Sequence, residues 1–326
     1  MVMGALVSMS TNDLESATGL AKPGTYPRHG GPQGTRFRLG LRLAGLVLAS
    51  WMAVSAGRLG LHAYWHGTEY EPPPPGMVLV PAGEFMMGSN DPDADPDERP
   101  LRWVFLRAFY IDRLEVSNRR YREFNPAHRY PAGQDHLPVT FVFKRDAEAF
   151  CRWAGRRLPT SAEWEKAARG TDGRTYPWGN TFDPALANVD RSSSNSASNG
   201  LLCRLPSSLA DTRGKLPGGS FPGGASPYGC QDMAGNVWEW VSDVWREEPF
   251  LRFPVDREWR GILRGGAFSY SPRQARVSHQ AFEALGATCH DVGFRCAMDA
   301  LPRARARPAL AREAGDSQVR ARGKPE

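Results

Sequence analysis

From Thr171 to Gly229 the chain shows neither the period of 2 expected of a strand nor the period of 3.6 expected of a helix, and Gly, Pro, Ser and Asn dominate it. An irregular stretch of this length is unusual inside a domain, so something other than a backbone ladder must fix it. RSSSNSASNG, Arg191 to Gly200, reads on its own as a linker. The flanks point the other way: YPWGN (Tyr176 to Asn180) and SPYGCQDMAGNVWEWVSD (Ser226 to Asp243) are too aromatic to be left in water.

Regular elements are expected mainly before this stretch. MVLVPAGEFMMG, Met77 to Gly88, predicts two short strands in a hairpin about Pro81-Ala82-Gly83. DPDADPDERP, Asp91 to Pro100, predicts a solvated charged loop; Pro92, Pro96 and the lack of a glycine at the sixth position argue against a calcium loop. Leu101 to Ile111 is rich in aromatic and β-branched residues and predicts one strand. Ser117 is placed to cap a helix carrying Tyr121 and Phe124, and a second helical pattern from Asp146 sets Phe150 and Trp153 on one face. Thr160 and Glu163 form a capping box, and Gly170 is placed to stop the helix that follows.

The formal charge of +6 does not mark a nucleic-acid groove. Residues 1–70 carry six basic and three acidic side chains and residues 301–326 carry seven and three, leaving 28 against 29 in residues 71–300. The excess lies in two appendages, and no nucleic-acid partner is expected. Residues 301–326 have too little apolar content to offset ordering and predict a disordered basic tail.

Arg36, Arg38 and Arg42 precede a charge-free run from Leu43 to Gly57, closed by Arg58. A basic flank before such a run predicts export, either as a signal peptide with Val54-Ser55-Ala56 near the cleavage point or as an anchor spanning Leu39 to Trp65. Both place the rest of the chain outside the cytoplasm, periplasmic or membrane-anchored. The expected organisation is therefore a disordered segment 1–35, a signal or anchor 36–66, a Pro-rich linker 67–75 with Pro72 to Pro75, a domain 76–300 and the tail.

EFMMG, NRRYREF, FCRWAGRRLPTSAEWEKAARG, YPWGN, YGCQDMAGNVWEWVSD, ILRGGAF and VGFRCA occur in the order and approximate spacing of the sulfatase-modifying-factor, or formylglycine-generating-enzyme, family, which residues 76–300 resemble. The resemblance implies an α+β, C-type-lectin-like fold with little regular structure, long loops held by calcium and disulfides, and in founding members a copper-binding cysteine pair that oxidises a sulfatase cysteine to formylglycine. Counted from the RGG block, those two cysteines fall on Tyr270 and Ala275. Neither side chain offers the thiolate that Cu(I) needs, so no copper is expected. Ala267 and Asp291 also depart from the family pattern, and the chain looks like branches that keep the scaffold without the thiols.

The resemblance further implies structural calcium at Asp232, Gly235, Val237 and Glu239, and a weaker second site at Asn188, Val189, Asp211 and Arg213. It implies a disulfide between Cys151 and Cys296 and leaves the pairing of Cys203, Cys230 and Cys289 open. Candidate site residues are Tyr270, Ala275, Trp238, His279, His290 and Asp291. His128, His136, His279 and His290 show no ligand pairing by spacing, although His279 and His290 with Asp291 keep a metal possible. Three functions follow: a remodelled pocket acting on a small molecule or peptide, a non-catalytic accessory module recognising a partner protein or small ligand, and a formylglycine-generating or other metal-dependent oxidase. Tyr270 opposes the third.

Overall fold

A computed structural model describes residues 68–190, 214–246 and 259–303. The candidate export segment, the basic tail beyond Arg303, Asp211, Arg213 and Cys203 lie outside the described residues. Among these residues no helix is long and apolar enough to cross a membrane.

Among the described residues nine strands form three small sheets. The first has the order β1–β4–β9, built from β1 (Met77–Val80), β4 (Phe109–Asp112) and β9 (Ala297–Asp299), all antiparallel. The second pairs β2 (Gly83–Met87) with β3 (Arg102–Leu106). The third has the order β7–β6–β5–β8, from β5 (Trp238–Arg246), β6 (Trp259–Arg264), β7 (Gln280–Ala284) and β8 (Val292–Gly293), with β5 and β8 parallel. The expected hairpin between β1 and β2 does not form. Pro81 and Ala82 turn the chain between two sheets, and each strand finds a partner far along the sequence. The single strand expected over Leu101 to Ile111 divides in two at Arg107-Ala108 for the same reason.

Among the described residues three α-helices pack against the sheets: α1 (Asn118–Phe124), α2 (Lys144–Trp153) and α3 (Ser161–Arg169). Ser117 caps α1 by accepting the Arg120 N–H, and the Thr160/Glu163 box starts α3, whose last turn closes on Gly170 at φ 76°. Phe150 is fully buried among Tyr121, Phe124 and Phe294, but Trp153 on the same face of α2 is 53% exposed. One core joins Tyr121, Phe150, Trp238, Trp240 and Phe294; a second joins Phe109, Ile111, Trp164, Met233 and Val241. β5 separates them. Trp238 to Val241 are all buried because both faces are covered, and beyond the register shift after Trp240 the strand alternates toward solvent.

The two ends of the domain meet. Tyr70 and Pro302 pair antiparallel, with the Glu71 N–H donating to Leu301 O and the Arg303 N–H to Glu69 O.

Candidate functional site

The RGG block sets the geometry of the site. Arg264, buried at the end of β6, donates from Nε to Ser161 Oγ (2.9 Å), from Nη2 to Glu165 Oε2 (2.8 Å) and from Nη1 to Ser278 O (2.9 Å), tying α3 to the following loop. Gly266 has φ 75°, and a Cβ there would lie 2.9 Å from Gln274 O, so only glycine lets the chain fold back against Ala275. Ala275, the second thiol position of the family, is consequently fully buried.

From this turn two groups of side chains emerge. In the first, Tyr270 meets Trp238 edge to face at 5.4 Å between ring centroids, and His279 lies 5.9 Å from the same indole. His279 Nδ1 then faces Asp95 Oδ2 at 3.3 Å and Glu98 Oε1 at 3.5 Å. Arg273 and Arg276 donate to Asp95 Oδ1 (2.6 Å) and Glu98 Oε1 (2.7 Å), and Ser278 Oγ donates to Glu98 Oε2 (2.5 Å). The charged loop is therefore not solvated along its whole length: the turn Pro96–Glu98 buries Glu98 against the 273–280 segment. Burial opposes the Glu98 charge, yet His279, Ser278, the Asp95 N–H and Arg276 outweigh it and hold the carboxyl at about 2. Asp95, Glu98 and His279 bring one ligand atom each within 4.8 Å of one another, but two guanidinium groups already neutralise the carboxylates.

In the second group, Asp291 Oδ2 accepts from Ser269 Oγ (3.2 Å) and Oδ1 lies 3.9 Å from His290 Nδ1, a buried nitrogen with no hydrogen-bond partner among the described residues. Phe268 and Phe141 flank His290 at 5.7 and 6.5 Å. Lys215, buried beside them, donates to Thr140 Oγ1 (2.5 Å). Burial raises the Asp291 carboxyl, against the pull of His290 and Ser269, and burial lowers Lys215 to about 8, against the pull of Asp291. The six candidate residues thus separate into Tyr270, Trp238 and His279 on one side and His290 and Asp291 on the other, with Ala275 beneath.

The proposed calcium residues lie under this site. Glu239 is fully buried, receiving Arg295 Nη2 on Oε1 (2.6 Å) and both Arg295 Nε (2.7 Å) and Trp164 Nε1 (2.8 Å) on Oε2. Asp232, at φ 57°, accepts the Gly219 N–H (2.6 Å). Glu115 joins them: Oε1 accepts Asn236 Nδ2 (3.0 Å) and buried Oε2 has no hydrogen-bond partner among the described residues. Burial and then the neighbouring Asp232 raise Glu115 well above the usual carboxylate range, and burial raises Asp232. In the weaker second set, the Asn188 amide nitrogen instead clamps Gly214 O (2.7 Å) and Asn236 Oδ1 (3.2 Å).

Cys151 and Cys296 are buried free thiols with sulfurs 3.0 Å apart; Cys230 is also free, and Cys289 is disulfide-bonded. Sequence reasoning missed Glu98, Glu115, Arg295 and Lys215. Lys215 carried one signal, as one of five lysines beside 36 arginines.

An RGG turn buttressed by α3, irregular loops and three small sheets define a lectin-like α+β domain of the sulfatase-modifying class. The Sulfatase-modifying factor enzyme 1-like domain matches residues 66–300, and the chain belongs to that family. It is 30% identical to the mouse (Mus musculus) "Inactive C-alpha-formylglycine-generating enzyme 2", over 69% of this chain and 86% of that protein. It is 33% identical to the formylglycine-generating enzyme of Thermomonospora curvata, over 69% and 94%. The solved structure of PvdO from Pseudomonas aeruginosa superimposes with a TM-score of 0.52 at 25% identity, covering 68% of this chain and 94% of that one.

Proposed function

We propose that this is an exported family member that binds a small molecule or peptide at the site around Tyr270, Trp238 and Asp291 and does not carry out copper-dependent cysteine oxidation. The carrying observation is the pair of thiol positions: a phenol packed on Trp238 at Tyr270 and a sealed methyl at Ala275. Soft Cu(I) needs thiolates, and disulfide exchange with a substrate cysteine needs a thiol. Cys289 cannot substitute while it is disulfide-bonded. Resemblance to a relative named as inactive supports the same assignment. Export rests on Arg36, Arg38 and Arg42 ahead of the Leu43 to Gly57 run.

Calcium is proposed as a structural ion. Glu115, Asp232 and Glu239 set three buried carboxylates against the Arg295 guanidinium, and the unpartnered Glu115 Oε2 marks where positive charge is short. This all-oxygen donor set suits a hard cation. Asp232, Glu239 and the carbonyls of Gly235 and Val237 would hold the ion, with Glu115 beside them, and its charge would fix the turn from Asp232 to Val237.

The test loads purified protein with Cu(I) and incubates it in air with a Cys-x-Pro-x-Arg peptide, reading the product by mass. The expected outcome is unchanged cysteine; multiple turnovers to the aldehyde would overturn the assignment.

A further inference from the structure

We propose that the outer face of the β2–β3 ribbon, carrying Trp103 and Phe105, is a docking surface that seats the domain on a lipid bilayer. This rests on the export reading above, in which the Leu43 to Gly57 run enters a membrane, and goes beyond it by naming the part of the domain that meets the lipid.

The alternation of β3 puts the two rings together. Successive side chains of a strand point to opposite faces. Val104 stands across from Phe85, which is fully buried, so that face of the ribbon belongs to the domain. Trp103 and Phe105 share the other face, across from Met86 and Glu84, and are 62% and 44% exposed. A single apolar side chain in water needs no explanation, but two aromatic rings on adjacent same-face positions form a patch that folding does not cover. Indole and phenyl rings on a rigid ribbon suit the boundary between headgroups and acyl chains.

The charges around the rings fit the same partner. Arg102 and Arg107 bracket them in sequence, and both are exposed. Among the described residues neither has an ion-pair partner, whereas Arg264, Arg276 and Arg295 each hold a carboxylate. A guanidinium left open beside an aromatic patch can grip a lipid phosphate. Glu84 takes one charge from this balance. The acidic loop Asp91 to Pro100 joins the ribbon at the end away from Arg107, and its Asp95 and Glu98 are already held by Arg273 and Arg276.

The path of the chain brings this face to the membrane. Glu71 O accepts from the Tyr110 hydroxyl, and Tyr110 lies on β4, which follows β3 across Arg107-Ala108. The linker therefore reaches the domain at the Arg107 end of the ribbon. Residues 58–68 separate the apolar run from Glu69, and fully extended they span about 40 Å at most. With the run retained as an anchor, so short a tether gives the ribbon a high effective concentration at the bilayer, and a weak interfacial affinity suffices.

The test places the full-length chain in nanodiscs of phosphatidylcholine and phosphatidylglycerol, a fraction of the phosphatidylcholine carrying a photoreactive diazirine in its acyl chain. Hydroxyl-radical oxidation and lipid adducts are then mapped by mass. Trp103 should be oxidised at least threefold more slowly than Trp153 on α2, which is 53% exposed, and adducts should fall between Arg102 and Arg107. Trp103→Ser should remove the protection of Phe105, Phe105→Ser that of Trp103, and Arg107→Glu should weaken both; these positions are exposed, and unchanged melting temperatures would show the variants folded. Oxidation of Trp103 at the rate of Trp153 overturns the proposal. Protection without lipid adducts also overturns it, because the chain's own residues or a second copy would then cover the rings. Insertion of the apolar run is scored separately, by resistance to carbonate extraction. An inserted chain with both rings open sinks the docking alone, whereas an extractable chain whose rings are protected and labelled by added vesicles of the same lipids sinks only the insertion.

Discussion

Cys151 on α2 and Cys296 beside β9 bring their sulfurs to 3.0 Å from each other inside the core that holds Phe150 and Phe294. Burial, and then the contact with Cys151, push the Cys296 thiol well above its usual range, which disfavours its thiolate. Oxidation would close a loop of nearly half the chain and stabilise the fold by about 5 kcal/mol on the loop-entropy account. Non-reducing peptide mapping of exported protein should recover the two cysteines in one linked peptide; recovery of alkylated Cys151 rules the bridge out.

Acid should weaken the docking of the Pro96–Glu98 turn. Glu98 is held at about 2 in the folded chain, below its unfolded value, so its contribution is present above about pH 4.5 and is lost as pH falls toward 2. The shift corresponds to about 3 kcal/mol for this buried carboxyl, to order of magnitude. Glu98→Gln should lower the melting temperature at neutral pH and flatten its fall between pH 5 and 2. An unchanged slope would show that other carboxylates govern acid unfolding.

Asn236 makes a clean probe of the loop clamp because it sits at φ 63°, where glycine is at ease. Asn236→Gly keeps that conformation while removing the bonds to Leu216 and to Glu115 Oε1. The expected loss is about 2–3 kcal/mol in urea unfolding, since each orphaned buried group costs about 1–3 kcal/mol. A loss below about 0.5 kcal/mol would mean that the clamp is dispensable.

Calcium should raise the melting temperature of chelator-stripped protein, and Glu115→Gln should weaken that response about tenfold in calcium concentration, equivalent to about 1.4 kcal/mol. Asp232→Asn is expected to do more, because its carboxylate is proposed as a direct ligand. Thermal melts across a calcium titration decide between these outcomes and a chain indifferent to the ion.

Tyr270→Cys together with Ala275→Cys should create Cu(I) affinity measurable by competition with a chromogenic chelator, where the unmodified sequence is expected to show none. Ala275 is sealed, so the larger side chain should cost about 1–3 kcal/mol. No gain in copper binding would mean that the turn no longer presents the two positions to one ion.

The parts of this structure that could be read in advance are those with local causes. Ser117, the Thr160/Glu163 box and Gly170 announce helix ends by chemistry within four residues, and the RGG and DMAGN blocks mark the family. What stayed hidden depends on partners far away. Glu98 reads as loop until Arg276 and Ser278 are folded against it, Lys215 lies in a stretch with no period, and β1 and β2 alternate as a hairpin would but pair with β4 and β3.

The pairing of Tyr70 with Pro302 has a mechanical side. Since the ends of the domain leave side by side from an antiparallel bridge, a pull between them loads the Glu71–Leu301 and Arg303–Glu69 hydrogen bonds one after another, as in a zipper, rather than all at once in shear. The same closeness makes the domain a cassette: spliced into a surface loop of a host protein, it would hold the host's two loop ends only a strand spacing apart, about 5 Å, and so leave the host fold undisturbed.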